Sequence, residues 1–275
     1  MALRSSKILI LIAALVLVLF AVAFVILPLP GTVSILMYHF VGSSEDARES
    51  KNFVSRESFE RQMAFLRIGG YHVISLDEFY AIHQGQRKSR GKEVVITFDD
   101  GNYTFAREAY PVLKKYDFPV AVFVVSENMK QKLHGSMTVE VLKELAASPR
   151  VTLGSHTKTH PFLSRLDLGK IQEELEGSKN DLETLLGVPI HYLAYPYGDF
   201  DVRVAEVAKK AGYRLAFTTS AKKLRSSGAG SYGLMRVKIT RSSDNLFVHW
   251  FKASGIYGTF KEWRSRWGKT VESAS

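Results

Sequence analysis

No cysteine occurs anywhere in the 275 residues. Thiol nucleophiles, thiolate-bound zinc and disulfide staples are therefore excluded, and His, Asp and Glu remain as the strong side-chain ligands for a metal. Export to an oxidising compartment stays open, because disulfides are optional there. Proline (8) and glycine (20) are too few for a collagen-like chain. Acidic residues are in the minority, 27 against 37 Lys+Arg, which gives a formal charge of +10. That surplus suits nucleic acid, an anionic membrane surface or an acidic polymer. What is present is ordinary for a folded protein: 46% hydrophobic and 23% charged residues, over a length fit for one large domain or two small ones.

Order along the chain narrows the choice. Arg4 and Lys7 precede an uncharged run from Ile8 to Leu27, about the length of a membrane-crossing helix. Basic residues ahead of such a run favour a cytoplasmic N-terminus. Ala21-Val22-Ala23 has the form of a signal-peptide cleavage site, but the run continues past it to Pro28-Leu29-Pro30-Gly31. The expectation is a membrane anchor, or alternatively a signal segment, over residues 1–30, with 31–275 as one exported domain. The location expected is the plasma (inner) membrane, single-pass with the domain outside the cytoplasm, or secreted or periplasmic after cleavage. Nucleic acid drops out as a partner.

Beyond Gly31, apolar runs at 33–38, 93–98, 120–125, 151–153, 192–195, 215–218 and 234–239 read as strands. Helical patterns lie between them. Ser55 caps one that places Phe59, Met63 and Leu66 on one face, and Ser75 with Glu78 forms a capping box. Asn102, Thr138, Leu168 and Asp201 open further helices, the last two ending near Gly187 and Gly212. Such alternation predicts an α/β fold with a parallel sheet or barrel. The polar stretch Val41–Val54 reads as a surface loop.

Active sites in these folds gather at the C-terminal ends of strands. Asp99-Asp100-Gly101 follows one strand; adjacent carboxylates repel unless a cation or a shared proton relieves them, although Asp-Asp-Gly also makes a good turn. His156 and His160 follow another, four residues apart, a spacing that reaches one metal ion if the loop forms a helical turn. Two histidines and a carboxylate leave coordination positions open for water and substrate.

Thr97-Phe98-Asp99-Asp100 and Ser155-His156-Thr157-Lys158-Thr159-His160 resemble the first two motifs of the polysaccharide deacetylases, carbohydrate esterase family four with the NodB homology domain. The resemblance runs from about Ser34 to Ile239. It implies a deformed parallel (β/α)7-type barrel, Asp99 as general base, and Asp100, His156 and His160 on one divalent metal, most often Zn2+, with Co2+, Ni2+ or Mn2+ as alternatives. Leu193-Ala194-Tyr195-Pro196-Tyr197-Gly198 is similar to the third motif, and places Tyr197 and Pro196 at the substrate's oxyanion. The family's arginine there is replaced by Ala194, and Arg236 is a candidate substitute from a neighbouring strand. The family's late Leu-x-His motif is missing. Tyr38-His39, Phe59 to Met63 and Gly70 to Ser75 resemble the branch acting on poly-β-1,6-N-acetylglucosamine, which implies His39 as general acid.

The function expected is metal-dependent removal of N-acetyl groups from N-acetylglucosamine residues of a cell-surface or extracellular polysaccharide, releasing acetate. A non-catalytic glycan-binding descendant, and a deacetylase of peptidoglycan or another amide, are the alternatives. Phe260, Trp263 and Trp267 recur among basic residues in the stretch 247–269. They read as a helix packed on the barrel or as a contact with membrane headgroups or glycan.

Overall fold

The computed structural model describes residues 32–42, 52–133, 135–219 and 230–261. The expected anchor, Trp263 and Trp267 lie outside them. Among the described residues no helix is long and apolar enough to cross a membrane.

Parallel strands form the main sheet. In chain order its members are β1 (Ser34–Tyr38), β4 (His72–Val73), β5 (Glu93–Phe98), β6 (Val120–Val124), β7 (Val151–Ser155), β8 (Tyr192–Ala194), β9 (Leu215–Thr218), β10 (Leu234–Met235) and β11 (Val237–Lys238). The path runs β10-β9-β8-β7-β6-β5-β1-β11, with β4 added beside β5. Leu234 pairs with Phe217 of β9, while Val237 pairs with Leu36 of β1. One short run, 234–238, thus bonds to both ends of the sheet and brings it close to a closed barrel. Arg236 sits at that seam, between the two halves.

Burial on both faces explains why these strands are continuous apolar runs. Side chains alternate across the sheet. Ile35, Val95, Ala121, Phe123 and Phe217 form one cluster, joined by Leu76 and Phe79, while Leu36, Val94, Ile96 and Val122 pack in another with the surrounding helices.

The helices begin where the sequence places caps. They include α1 (Arg56–Ile68) on Ser55, α2 (Leu76–His83) on the Ser75/Glu78 box, α5 (Val139–Ala146) on Thr138 and α8 (Val202–Lys210) on Asp201. After β5 the chain makes a π turn, Phe105–Ala109, before α3 (Tyr110–Tyr116). After β7, α6 (Leu168–Gln172) passes through a second π turn, Glu173–Gly177, into α7 (Ser178–Leu186). Two further helices are α4 (Ser126–Lys130), which has no counterpart in the sequence reading, and α9 (Leu246–Ala253).

The expected loop 41–54 needs correction at its ends. Phe40–Gly42 (β2) and Phe53–Ser55 (β3) pair in parallel as a separate small sheet, and Val41 and Val54 are fully buried. Apolar residues at both ends of the stretch are drawn under α1, and only the polar middle carried the loop signal; residues 43–51 lie outside the described residues.

Candidate metal centre

Asp99 and Asp100 leave the end of β5 to different depths, and both approach His156 Nε2, Asp99 Oδ2 at 3.9 Å and Asp100 Oδ1 at 3.6 Å. The Asp99 N–H donates to the Tyr38 carbonyl at 3.0 Å, which keeps the chain on the strand for one more residue. Asp100 then takes a left-handed φ of 70°, and Gly101 one of 64°. This reversal buries Asp99 and leaves Asp100 half-exposed at the mouth.

Arg236 reaches Asp99 from the seam. Its Nη1 donates to Oδ1 at 2.6 Å and its Nη2 to Oδ2 at 2.7 Å, and Nη1 also meets Thr97 Oγ1 at 3.2 Å. Both side chains are almost wholly buried, and the guanidinium carbon lies 5.2 Å from the Phe123 ring centre. Burial alone would raise the Asp99 carboxyl; the Arg236 charge and hydrogen bonds, with help from His156, overcome it and hold Asp99 well below the usual carboxylate range. The arginine missing at Ala194 thus has a counterpart, supplied from across the seam.

Ala194 contributes through its backbone. His156 Nδ1 donates to the Ala194 carbonyl at 2.7 Å. A carbonyl only accepts, so Nδ1 carries the proton and Nε2 presents its lone pair. That Nε2 lies 3.6 Å from Asp100 Oδ1, and His160 Nε2 lies 3.6 Å from the same oxygen. Burial lowers both histidines towards the neutral form that a metal requires. Burial raises Asp100; His156 works against that rise, and the Asp99 charge adds to it.

Among the described residues, Asp100, His156 and His160 form a group whose ligand atoms lie within 4.8 Å of one another. Separations of 3.6 Å are too long for hydrogen bonds, but approach the ~3.3 Å edge of a tetrahedron with ~2.0 Å metal–ligand bonds. Two neutral imidazoles and a carboxylate are also a donor set suited to a first-row divalent ion. These residues fit the implied metal.

The histidines do not meet through a helical turn, as the spacing predicts. Thr157 and His160 have left-handed φ values of 66° and 64°, so the segment folds back on itself. Local hydrogen bonds hold it there: Ser155 Oγ accepts from Thr157 N–H, and Thr157 Oγ1 accepts from His160 N–H. Glu174 accepts from the N–H groups of Lys158 and Thr159, both at 2.9 Å, and from the Thr159 hydroxyl at 2.6 Å. The sequence reading missed Glu174. A signal exists, since a carboxylate falls on the buried face that Ile171, Leu175 and Ser178 define along one helical run, and buried carboxylates require partners.

The turn after β8 completes the wall. Tyr197 has a φ of 59°, stacks on Phe162 at 4.0 Å, and stands edge-on to His160 at 4.7 Å. Gly198 must be glycine, because at φ 69° a Cβ would meet Thr219 N at 2.6 Å. Pro196, in the same turn, is buried. His39, after β1, is half-buried with its Nδ1 enclosed. Burial lowers its pKa, Asp99 opposes that shift, Arg236 and Lys238 add to it, and His39 in turn lowers His160.

Comparisons with known proteins bear on the family. A family model described as Polysaccharide deacetylase matches residues 86–216. YxkH of Bacillus subtilis (strain 168), which bears the polysaccharide deacetylase name, is 31% identical over 211 residues, covering 77% of this chain and 72% of that protein. The poly-beta-1,6-N-acetyl-D-glucosamine N-deacetylase of Staphylococcus aureus (strain MRSA252) is 27% identical over 226 residues, 78% of this chain and 76% of that one. Among solved structures, IcaB from Ammonifex degensii superposes with a TM-score of 0.68 at 31% identity, covering 80% of this chain and 97% of that one. The Streptococcus pyogenes deacetylase PplD in complex with acetate gives 0.70 at 26% identity, over 81% and 99%.

Proposed function

The chain belongs to the polysaccharide deacetylase family, a family of hydrolytic enzymes, and on that premise we propose that it removes N-acetyl groups from N-acetylglucosamine residues of an extracellular or cell-surface polysaccharide, with zinc as the most suitable ion. The observation that carries the reading is the convergence of Asp100, His156 and His160 beside a buried, arginine-held Asp99. Naming the polymer as poly-β-1,6-linked rests on the staphylococcal relative and on IcaB.

Asp100, His156 and His160 would hold the ion, which would supply the positive charge that acidifies water and polarises the acetamide carbonyl. Asp99 enters the reaction ionised and takes the proton of the attacking water. Arg236 acts through Asp99, fixing both carboxylate oxygens. The N–H groups of Gly198 and Asp199 close the turn onto the Tyr195 and Pro196 carbonyls, and Pro196 has no N–H, so the oxyanion contact is assigned to the Tyr197 N–H. One such donor is worth about 3 kcal/mol in the transition state. His39, in its protonated form, gives a proton to the departing amine, and the proton that Asp99 took from water restores it. Products are acetate and a glucosamine residue.

The apolar run 8–27 and the basic residues before it support a single-pass anchor with the barrel outside the cytoplasm. Acetate release from β-1,6- and β-1,4-linked N-acetylglucosamine oligomers and from peptidoglycan fragments tests the substrate reading. Preference for the β-1,6 oligomer is expected. Zinc binding with no release from any of the three would favour a glycan-binding protein.

A further inference from the structure

The end of the barrel opposite the metal centre carries an apolar groove of about 400 Å³, lined by Phe65, Gly69, Tyr71, Leu246, Phe247 and Trp250, with Lys92 at its edge. Phe247 is 65% exposed, and Ile68 nearby on α1 is 86% exposed. Tyr71 and Arg67 also line a second hollow, whose charged lining is Arg67, Arg87, Arg90 and Arg150 with Glu78, paired with Arg87, and Asp117, paired with Arg150. Aromatic side chains beside a surplus of arginine form a surface suited to an anionic lipid headgroup layer.

Topology says what covers it. Ser34 of β1 pairs with Val94 of β5, so Thr32 and Lys92 lie level, two residues before the pair on adjacent parallel strands. The chain therefore enters the fold at the end that holds the groove. Only residues 28–31, Pro-Leu-Pro-Gly, separate Thr32 from the apolar run, a reach of at most about 18 Å. The Asp99 end of β5 is about 23 Å away along the strand. An anchored barrel is thus held with its entry end, and not its metal end, nearer the bilayer.

We propose that this end, with Phe247, Trp250 and Ile68 as apolar contacts and Arg67, Arg90 and Lys92 as headgroup contacts, is the membrane-facing surface, and that it directs the metal centre away from the bilayer towards polymer. The inference rests on the anchor reading above.

The absence of cysteine makes the test clean. Phe247→Cys and Tyr103→Cys, each an exposed aromatic at its own end of the barrel, are made in the full chain and labelled with a fluorophore. Each protein is placed in vesicles of phosphatidylglycerol and phosphatidylcholine containing brominated lipid. Quenching of about twofold is expected at 247 and none at 103. Equal signals at both positions, or quenching at 103 alone, in protein that sediments with the vesicles would overturn the proposed surface while leaving the anchor intact. Protein that fails to sediment with vesicles would remove the anchor reading itself.

Discussion

Asp99 and Asp100 are neighbours in the chain, yet the structure treats them as parts of two different devices. Asp99 is locked by a two-pronged contact with Arg236, which arrives from the strand that nearly closes the barrel. Asp100 faces two histidines whose loop is shaped by hydrogen bonds to Ser155, Thr157 and Glu174. The first half depends on barrel closure and on one buried charge pair. The second depends on local backbone geometry. On the proposed mechanism, proton transfer is thereby tied to barrel closure, and metal affinity to the end of β5, the Ala194 carbonyl and the histidine loop together.

Breaking the first half should have the largest effect. Arg236→Ala leaves Asp99 buried and unpaired, and a loss of about 3–5 kcal/mol in folding stability is expected, measured by denaturant unfolding, together with loss of activity. The same pair sets an acid limit. Asp99 is lowered in the folded state, so its contribution is complete above the unfolded carboxylate value of about 3.9 and is lost as pH falls below it. Wild-type stability should therefore decline through that range more steeply than that of Arg236→Ala.

On the proposed mechanism His39 is the proton donor, and its replacement separates proton donation from stability. His39→Ala should lower kcat by about 10²–10⁴ while leaving zinc affinity near that of the wild type. An unchanged kcat would return the general acid to another group.

The second half is probed at Glu174. Glu174→Gln keeps the shape but weakens three hydrogen bonds, and zinc affinity should fall by about 10–100-fold, read by competition with a chromophoric chelator. The Asp99–Arg236 half should keep its acid-stability profile. Next to it, Lys158 bonds Glu173 at 2.9 Å on the surface. Lys158→Ala should leave both zinc affinity and Tm unchanged within error, which would show that the buried carboxylate, and not loop charge in general, positions His160.

The same division explains what could be read in the sequence. Strand ends, helix caps and the His156/His160 spacing are local patterns, and each is present in the structure. Arg236 could be no more than a candidate, because its partner is 137 residues away and only barrel closure brings the two together. The Ala194 carbonyl that orients His156 left no trace, since every residue has a carbonyl and only the fold selects this one. The helical turn expected between the histidines failed because side-chain and backbone hydrogen bonds outweigh the preference of Thr157 for negative φ. Val41 and Val54 were hidden by the polar residues between them.

The most direct measurement of the central claim compares wild type with Asp99→Asn on an N-acetylglucosamine oligomer, following acetate release and zinc binding in the same metal-stripped and reloaded preparations. Both proteins should bind zinc to a similar extent, wild type should release acetate only when loaded, and Asp99→Asn should lose about 10³-fold in kcat. Acetate release by Asp99→Asn at the wild-type rate, or by metal-stripped wild type, would contradict that claim.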